Sequence, residues 1–113
     1  MSECLFCKIA AKDLEAEVVL ETDGVIAFRD INPGAPTHVL VIPKEHIASA
    51  HELTSKHSEI LAEMFEVMRS VADREDLAGG CRIVTNIGSD AGQSVHHLHF
   101  HVLGGRHLSW PPG

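Results

Sequence analysis

Two apolar stretches, Val18-Val19-Leu20 and Val25-Ile26-Ala27-Phe28, flank Asp23-Gly24. That dipeptide is suited to the positive φ angles of a tight turn, so the pattern predicts a β-hairpin between Glu17 and Asp30. Asn32-Pro33-Gly34-Ala35-Pro36 is a second turn, with proline setting φ ahead of a permissive glycine. His38 to Ile42 then returns as a third strand, completing an antiparallel meander. From about Thr54 to Leu77 the period changes. Ile60, Leu61, Met64, Phe65, Met68, Val71 and Ala72 recur at helical spacing, while Lys56, Glu59, Glu63, Glu66, Arg69 and Asp73 lie off that stripe. Thr54 or Ser55 can cap the helix start and Gly79-Gly80 can stop it. A strand is expected at Arg82 to Ile87, a polar loop at Gly88 to Ser94, a last strand at Val95 to Leu103 and a short helix at Leu5 to Ala11. Five strands with one long and one short helix predict an α+β fold.

The chain has 113 residues without repeats, low-complexity tracts or linkers, so residues 1–113 are read as a single domain. It is 44% hydrophobic and 22% charged, which is a globular balance. The formal charge of −7 disfavours general binding to nucleic acid or an anionic membrane, since both demand cations. Val39-Leu40-Val41-Ile42 is among the longest apolar runs, far short of a membrane span, and Met-Ser-Glu-Cys-Leu-Phe-Cys lacks a signal-peptide core. Three cysteines, two of them as Cys4-x-x-Cys7, do not make a secreted disulfide framework. A cytoplasmic protein is the expectation.

Nine histidines, as many as Lys and Arg together, change the picture. His97-Leu98-His99-Phe100-His101-Val102-Leu103 places three imidazoles on one face of a strand, at steps of roughly 6.6 Å, with Leu98, Phe100 and Val102 facing a core. Serine, threonine or lysine would serve a solvated face equally well, so strict alternation points to a site. Three neutral imidazoles suit a catalytic zinc, but outer members about 13 Å apart along a strand do not readily share one ion. They also suit phosphoryl chemistry, in which a neutral imidazole attacks phosphorus while its neighbours hold oxygens or supply a proton. The preceding loop favours the second reading. Gly92 permits close backbone approach, and the amides and hydroxyl around Gln93 and Ser94 can donate to a phosphate.

The run from Gly92 to Arg106 resembles the signature of the histidine triad (HIT) superfamily, and within it the Hint branch of nucleotide-binding proteins. Phe28 to Pro33, Ala35 to His38, Ile42 to Ile47 and the tail Trp110-Pro111-Pro112-Gly113 extend the likeness over nearly the whole chain. The resemblance implies a five-stranded antiparallel sheet, with homodimers joining two sheets into one of ten strands and one subunit's tail shaping the other's site. It implies hydrolysis of the P–N bond of purine nucleoside 5′-phosphoramidates through a nucleotidyl-histidine on His99. His101 and Ser94 would hold phosphate oxygens or serve the leaving group, and His97 and His38 would complete a hydrogen-bonded imidazole cluster. Asp30 would take the ribose hydroxyls, Ile31 would pack near base and sugar, and Asn86, Gly92 and Gln93 would border the phosphate.

No cofactor is implied for the chemistry itself. Relatives carrying the Cys-x-x-Cys motif bind a structural zinc through two cysteines and two histidines, which here match Cys4, Cys7, His46 and His97. One departure is His96, where the family often has an aromatic residue; strand alternation turns it toward the side of Leu98, as a partly buried or interface imidazole. Cys81 and the Met64, Phe65 and Met68 stripe are expected to pack, His51 and His57 to be solvated, His107 to be exposed or near the tail, and Trp110 to serve packing or the substrate entrance. Two other readings stand beside the phosphoramidase: a dinucleoside polyphosphate hydrolase with the same triad, and a zinc-stabilised nucleotide-binding module with little turnover.

Overall fold

The computed structural model describes residues 4–113; the N-terminal reading at Met1 to Glu3 lies outside them. In chain order the elements are α1 (Leu5–Ala10), β1 (Val18–Glu21), β2 (Val25–Arg29), β3 (Thr37–Pro43), α2 (Ser58–Arg74), β4 (Cys81–Val84) and β5 (Phe100–Gly104). The strands form one five-stranded antiparallel sheet of order β1-β2-β3-β5-β4, so the meander is extended by β5, which pairs with both β3 and β4. The fold is α+β, with the strands in a single antiparallel sheet.

Side-chain alternation divides the sheet into two buried faces. Val25, Ala27, Val39, Val41, Phe100 and Val102 meet Met64, Val67, Met68 and Val71 of α2. On the other face Ile26, Phe28, Leu40 and Ile42 meet Phe6 and Ile9 of α1. Every position of Val25 to Phe28 and Val39 to Ile42 is thereby buried, which is why these runs are apolar throughout. Arg29 clamps the end of β2 to the residue after α2, with two guanidinium N–H groups donating to Glu75 at 2.9 Å each. That pair holds the Glu75 carboxyl below its ordinary range.

Several local expectations are corrected. Neither Asp23 nor Gly24 takes a positive φ. The hairpin is closed instead by Thr22 N–H donating to the Val25 carbonyl at 2.8 Å. Gly24 packs closely on α2: its N–H donates to Glu63 Oε2 at 3.0 Å, and a Cβ there would stand 3.0 Å from Glu63 Oε1, at the end of a side chain able to give way. Thr54 caps as expected, but it caps a 3-10 turn over Ser55–His57, with Lys56 N–H donating to Thr54 Oγ1 and Thr54 N–H donating to His57 Nδ1. The chain leaves α2 before the glycines, with Asp76 at φ 58° taking the left-handed position.

The strand ends also move. β4 stops at Val84, and β5 begins only at Phe100. Residues 95–97 bend and 98–99 stay outside the sheet, where Leu98 N–H turns to the Ile47 carbonyl at 2.6 Å instead of joining a ladder. Leu98 still reaches the α2 core. His96 loses the premise of its assignment and is exposed. Phe65 is 46% exposed although its ring meets Phe100 edge-on, and Cys81 lies exposed at the start of edge strand β4. Val67, off the expected stripe, is buried in its place.

Candidate active site

His99 occupies the bend just ahead of β5, on the α1 side of the sheet, and is 6% exposed. Its Nδ1–H donates to the carbonyl of His97 at 2.7 Å, which fixes the tautomer and leaves the Nε2 lone pair unused. Phe6 meets the ring edge-on at 5.1 Å, and Thr85 Oγ1 donates to the His99 carbonyl at 2.8 Å. Ring, backbone and tautomer are therefore each held by a different element.

His101 is set by a chain of donors that begins in the Pro-Gly turn. Gly34 N–H donates to His38 Nδ1 at 2.9 Å, so the His38 proton resides on Nε2. That proton is directed to His101 Nδ1 at 2.8 Å, and the remaining His101 N–H is then on Nε2. The His101 ring also packs against His99, with centroids 5.1 Å apart. Burial pushes its pKa down to about 4, the neighbouring His99 and His38 add to that, and Asp30 opposes it. His101 is thus a neutral donor at pH 7.

A cavity of about 430 Å³ opens over these rings. Phe6, Ile9, Phe28 and Leu40 supply apolar wall, Asp30 and Ser94 lie at its polar end, and Ile31 is 91% exposed at its rim. Asp30 is oriented by accepting from Asn32 N–H at 2.8 Å, and its other oxygen lies 3.4 Å from His38 Nε2. The expected residues His99, His101, Asp30, Ile31 and Ser94 all line this cavity. Three others do different work. Gln93 is buried with its side chain spent on backbone, donating to the Ala48 and Val95 carbonyls and accepting from Gly88 N–H. Asn86 donates to the Ala91 carbonyl and borders a separate space beyond His101. Gly92 sits at φ 89°, closing the loop turn in open surroundings.

Of the two roles expected of His97, the structure brings its ring to Cys4, Cys7 and His46 rather than to the imidazole cluster. Its ring does not join His38 and His101; Nε2–H donates to the Pro43 carbonyl at 2.8 Å, and only its backbone carbonyl touches His99. The Nδ1 lone pair faces Cys4 Sγ at 3.3 Å and Cys7 Sγ at 3.4 Å, and His46 Nδ1 lies 3.2 Å from Cys7 Sγ. All four donor atoms lie within 4.8 Å of one another. A tetrahedral zinc with two sulfur and two nitrogen ligands has S···N edges of about 3.5 Å, so the donor set fits that ion in chemistry and spacing. Burial holds the His97 ring neutral, as a ligand must be. Asp30, His38 and His101 also converge, but 2.8 Å between two ring nitrogens is a hydrogen bond, shorter than the roughly 3.3 Å edge of a zinc tetrahedron.

Sequence reasoning missed Phe6, Gly34, Pro43 and Thr85, which act through ring packing or backbone groups. Only Phe6 left a signal, since Cys4-x-x-Cys7 places it between two candidate ligands. His107 is exposed, as is His51, and Trp110 is 81% exposed; half-buried His57 serves the Thr54 turn.

A two-faced sheet presenting one tautomer-fixed imidazole and one imidazole donor beside an apolar cavity defines a histidine-based site for a ligand with an apolar body and a polar, reactive end. Comparison with known proteins agrees with that class. Residues 3–110 match the family described as scavenger mRNA decapping enzyme C-terminal binding. The 14 kDa zinc-binding protein of Zea mays is 46% identical over 99% of this chain and 89% of its own. Adenylylsulfatase HINT1 of Arabidopsis thaliana is 43% identical over 99% of this chain and 78% of its own. The crystal structure of a HIT family hydrolase from Legionella pneumophila superposes with a TM-score of 0.96 at 48% identity, covering 98% of this chain and all of that one. The chain belongs to the histidine triad family, close to the plant zinc-binding and HINT1 proteins of its Hint branch. Among the described residues no helix is long and apolar enough to cross a membrane.

Proposed function

We propose that this HIT-family hydrolase cleaves the P–N bond of purine nucleoside 5′-phosphoramidates. The observation that carries the reading is the Nδ1–H bond from His99 to the His97 carbonyl, which leaves Nε2 as a nucleophile facing the cavity. Base and sugar occupy the apolar part, with Ile31 at the rim and the Asp30 carboxylate accepting from the ribose hydroxyls. Nε2 forms a bond to the α-phosphorus while the P–N pair leaves with nitrogen. The departing amine takes a proton from the Ser94 hydroxyl, while neutral His101 donates its Nε2–H to a phosphate oxygen. Water then opens the nucleotidyl-histidine, giving its hydroxyl to phosphorus and its proton to the depleted donor, and releases the nucleoside monophosphate. The positive charge on the substituted imidazole is met by the carbonyl already bonded to Nδ1–H.

Cys4, Cys7, His46 and His97 would hold a zinc that joins α1 to the segments carrying His46 and His97. Its contribution is structural cross-linking. A homodimer belongs to the same proposal: β4 is a sheet edge, and Ile83 at 42% and Phe65 at 46% exposure leave apolar surface beside it for a second copy.

The name of the Arabidopsis relative favours a second substrate on the same site, an adenylyl sulfate, in which sulfate replaces the amine. Steady-state kinetics on adenosine phosphoramidate, adenylyl sulfate and a diadenosine polyphosphate decide among leaving groups; the phosphoramidate is expected to have the highest kcat/KM. In His99→Gly turnover should fall by roughly three orders of magnitude or more while AMP binding survives. Retained turnover in that variant removes the nucleophile assignment.

A further inference from the structure

The peptide that joins His97 to Leu98 is held at both ends by groups next to the Cys4, Cys7, His46 and His97 cluster. Its carbonyl accepts the His99 Nδ1–H at 2.7 Å, and its N–H donates to the Ile47 carbonyl at 2.6 Å. Ile47 directly follows His46, whose ring faces Cys7, and His97 itself faces both sulfurs. The His97 ring is further anchored by Nε2–H to the carbonyl of Pro43, at the end of β3. Metal-type donors from α1, from the segment after β3 and from the bend before β5 thus converge on one peptide plane. That plane selects the tautomer of the nucleophile.

We propose that His97 is a positioning residue that transmits occupancy of the Cys4–Cys7–His46–His97 cluster to His99 through its own backbone carbonyl. This inference rests on the reading of His99 as nucleophile for its kinetic consequence, though not for its structural one. When the four donors are drawn together, the His97 ring and the 46–47 segment are fixed and the carbonyl lies where His99 Nδ1–H meets it. When they are not, only thiol–imidazole contacts of 3.2–3.4 Å join the four residues, a weaker hold on the His97 ring and the 46–47 segment than shared bonds to one ion. An imidazole without that acceptor divides between tautomers, and the form protonated on Nε2 has no lone pair to attack with. Residues that orient a functional group at one remove commonly change activity by 10- to 100-fold.

The test uses full-length protein labelled with ¹⁵N-histidine, compared zinc-loaded, chelator-stripped and reloaded, and as His46→Ala. His46 is exposed, which makes this a mild way to weaken the cluster. Zinc-loaded protein should bind one ion per chain and show His99 as a single Nδ1–H tautomer. Stripping, or His46→Ala, should shift that ring to an averaged tautomer signal and lower kcat roughly 10- to 100-fold with little change in KM, and zinc should reverse both in the wild type. Circular dichroism confirms that the stripped chain keeps its fold, and AMP affinity that its cavity persists. If the His99 signal is the same with and without zinc, or if the chain takes up no zinc, the inference is wrong. A tautomer shift without any phosphoramidate turnover would sustain the coupling and sink the proposed reaction, so the two failures are separable.

Discussion

Three imidazoles separated by single apolar residues end up in three different electrical situations. His97 is fully buried and neutral, His99 is fixed by a backbone acceptor, and His101 is fixed by a donor chain from Gly34 through His38. For His101 the consequence for stability has a definite sign. Its ordinary value of 6.5 falls to about 4 in the folded chain, mainly through burial. Between those values the unfolded chain binds the proton more, so stability falls as pH drops from about 6.5 toward 4 and the contribution levels off below that. Denaturation midpoints measured across this range should fall more steeply for wild type than for His101→Asn, which has no such titration. Parallel curves would mean that His101 is not held neutral. The same depression keeps His101 a neutral hydrogen-bond donor over the physiological range, which suits a group that holds a phosphate oxygen through Nε2–H rather than one that gives its proton away.

At the level of elements, the two faces of β2 and β3 explain how a short sheet carries both a core and a cavity. α2 covers the central strands of one face, whereas six-residue α1 covers only part of the other and leaves its end open over His99. The turn after β5 is closely packed. Gly105 has φ 93°, and a Cβ there would stand 2.9 Å from Pro36 Cβ, in the turn that also presents Gly34 N–H to His38. Gly105→Ala should therefore cost about 2 kcal/mol in chemical denaturation, and the displaced Pro36 turn should loosen the His38–His101 hydrogen bond. A variant as stable as wild type would show that the turn gives way without strain. Leu98→Ala offers a contrast, because it empties core on the α2 side and should cost about 2–5 kcal/mol through the cavity alone.

The whole molecule is acidic, at −7, yet one of its two sheet edges, β4, carries apolar surface on the α2 side. β4 places Ile83 opposite Val102, on the α2 side, and Phe65 of α2 meets Phe100 on the neighbouring strand. An exposed edge strand bordered by such residues is a pairing surface unless something covers it. The proposed homodimer is the occupant that matches a self-complementary apolar edge. Light scattering should give twice the chain mass for wild type and the single-chain mass for Ile83→Asp with Phe65→Glu. A monomeric wild type would remove the dimer from the proposal.

How far each of these scales was legible in the sequence depends on the range of the interaction concerned. Alternation along 97–102, helical spacing along α2 and the turn residues before β3 are local patterns, and they determined the element types, the antiparallel meander and the chemistry available at His99. The termini of those elements were not legible, because they depend on partners distant in sequence. Leu98 leaves the ladder for Ile47, and Asp76, rather than a glycine, takes the left-handed turn after α2. The same limit divided the site. Which residues were imidazole, thiol or carboxylate was plain from the chain, and so was the pairing of Cys4 and Cys7 across one helical turn. That Gly34 and Pro43 would set two tautomers and that Gln93 would be spent on backbone were decided only by the tertiary structure, as was the choice for the His97 ring between the sulfurs and the imidazole cluster, both of which the family likeness offered. A hydrogen bond depends on atoms within about 3 Å, and the sequence carries no distances between segments until the sheet brings them together.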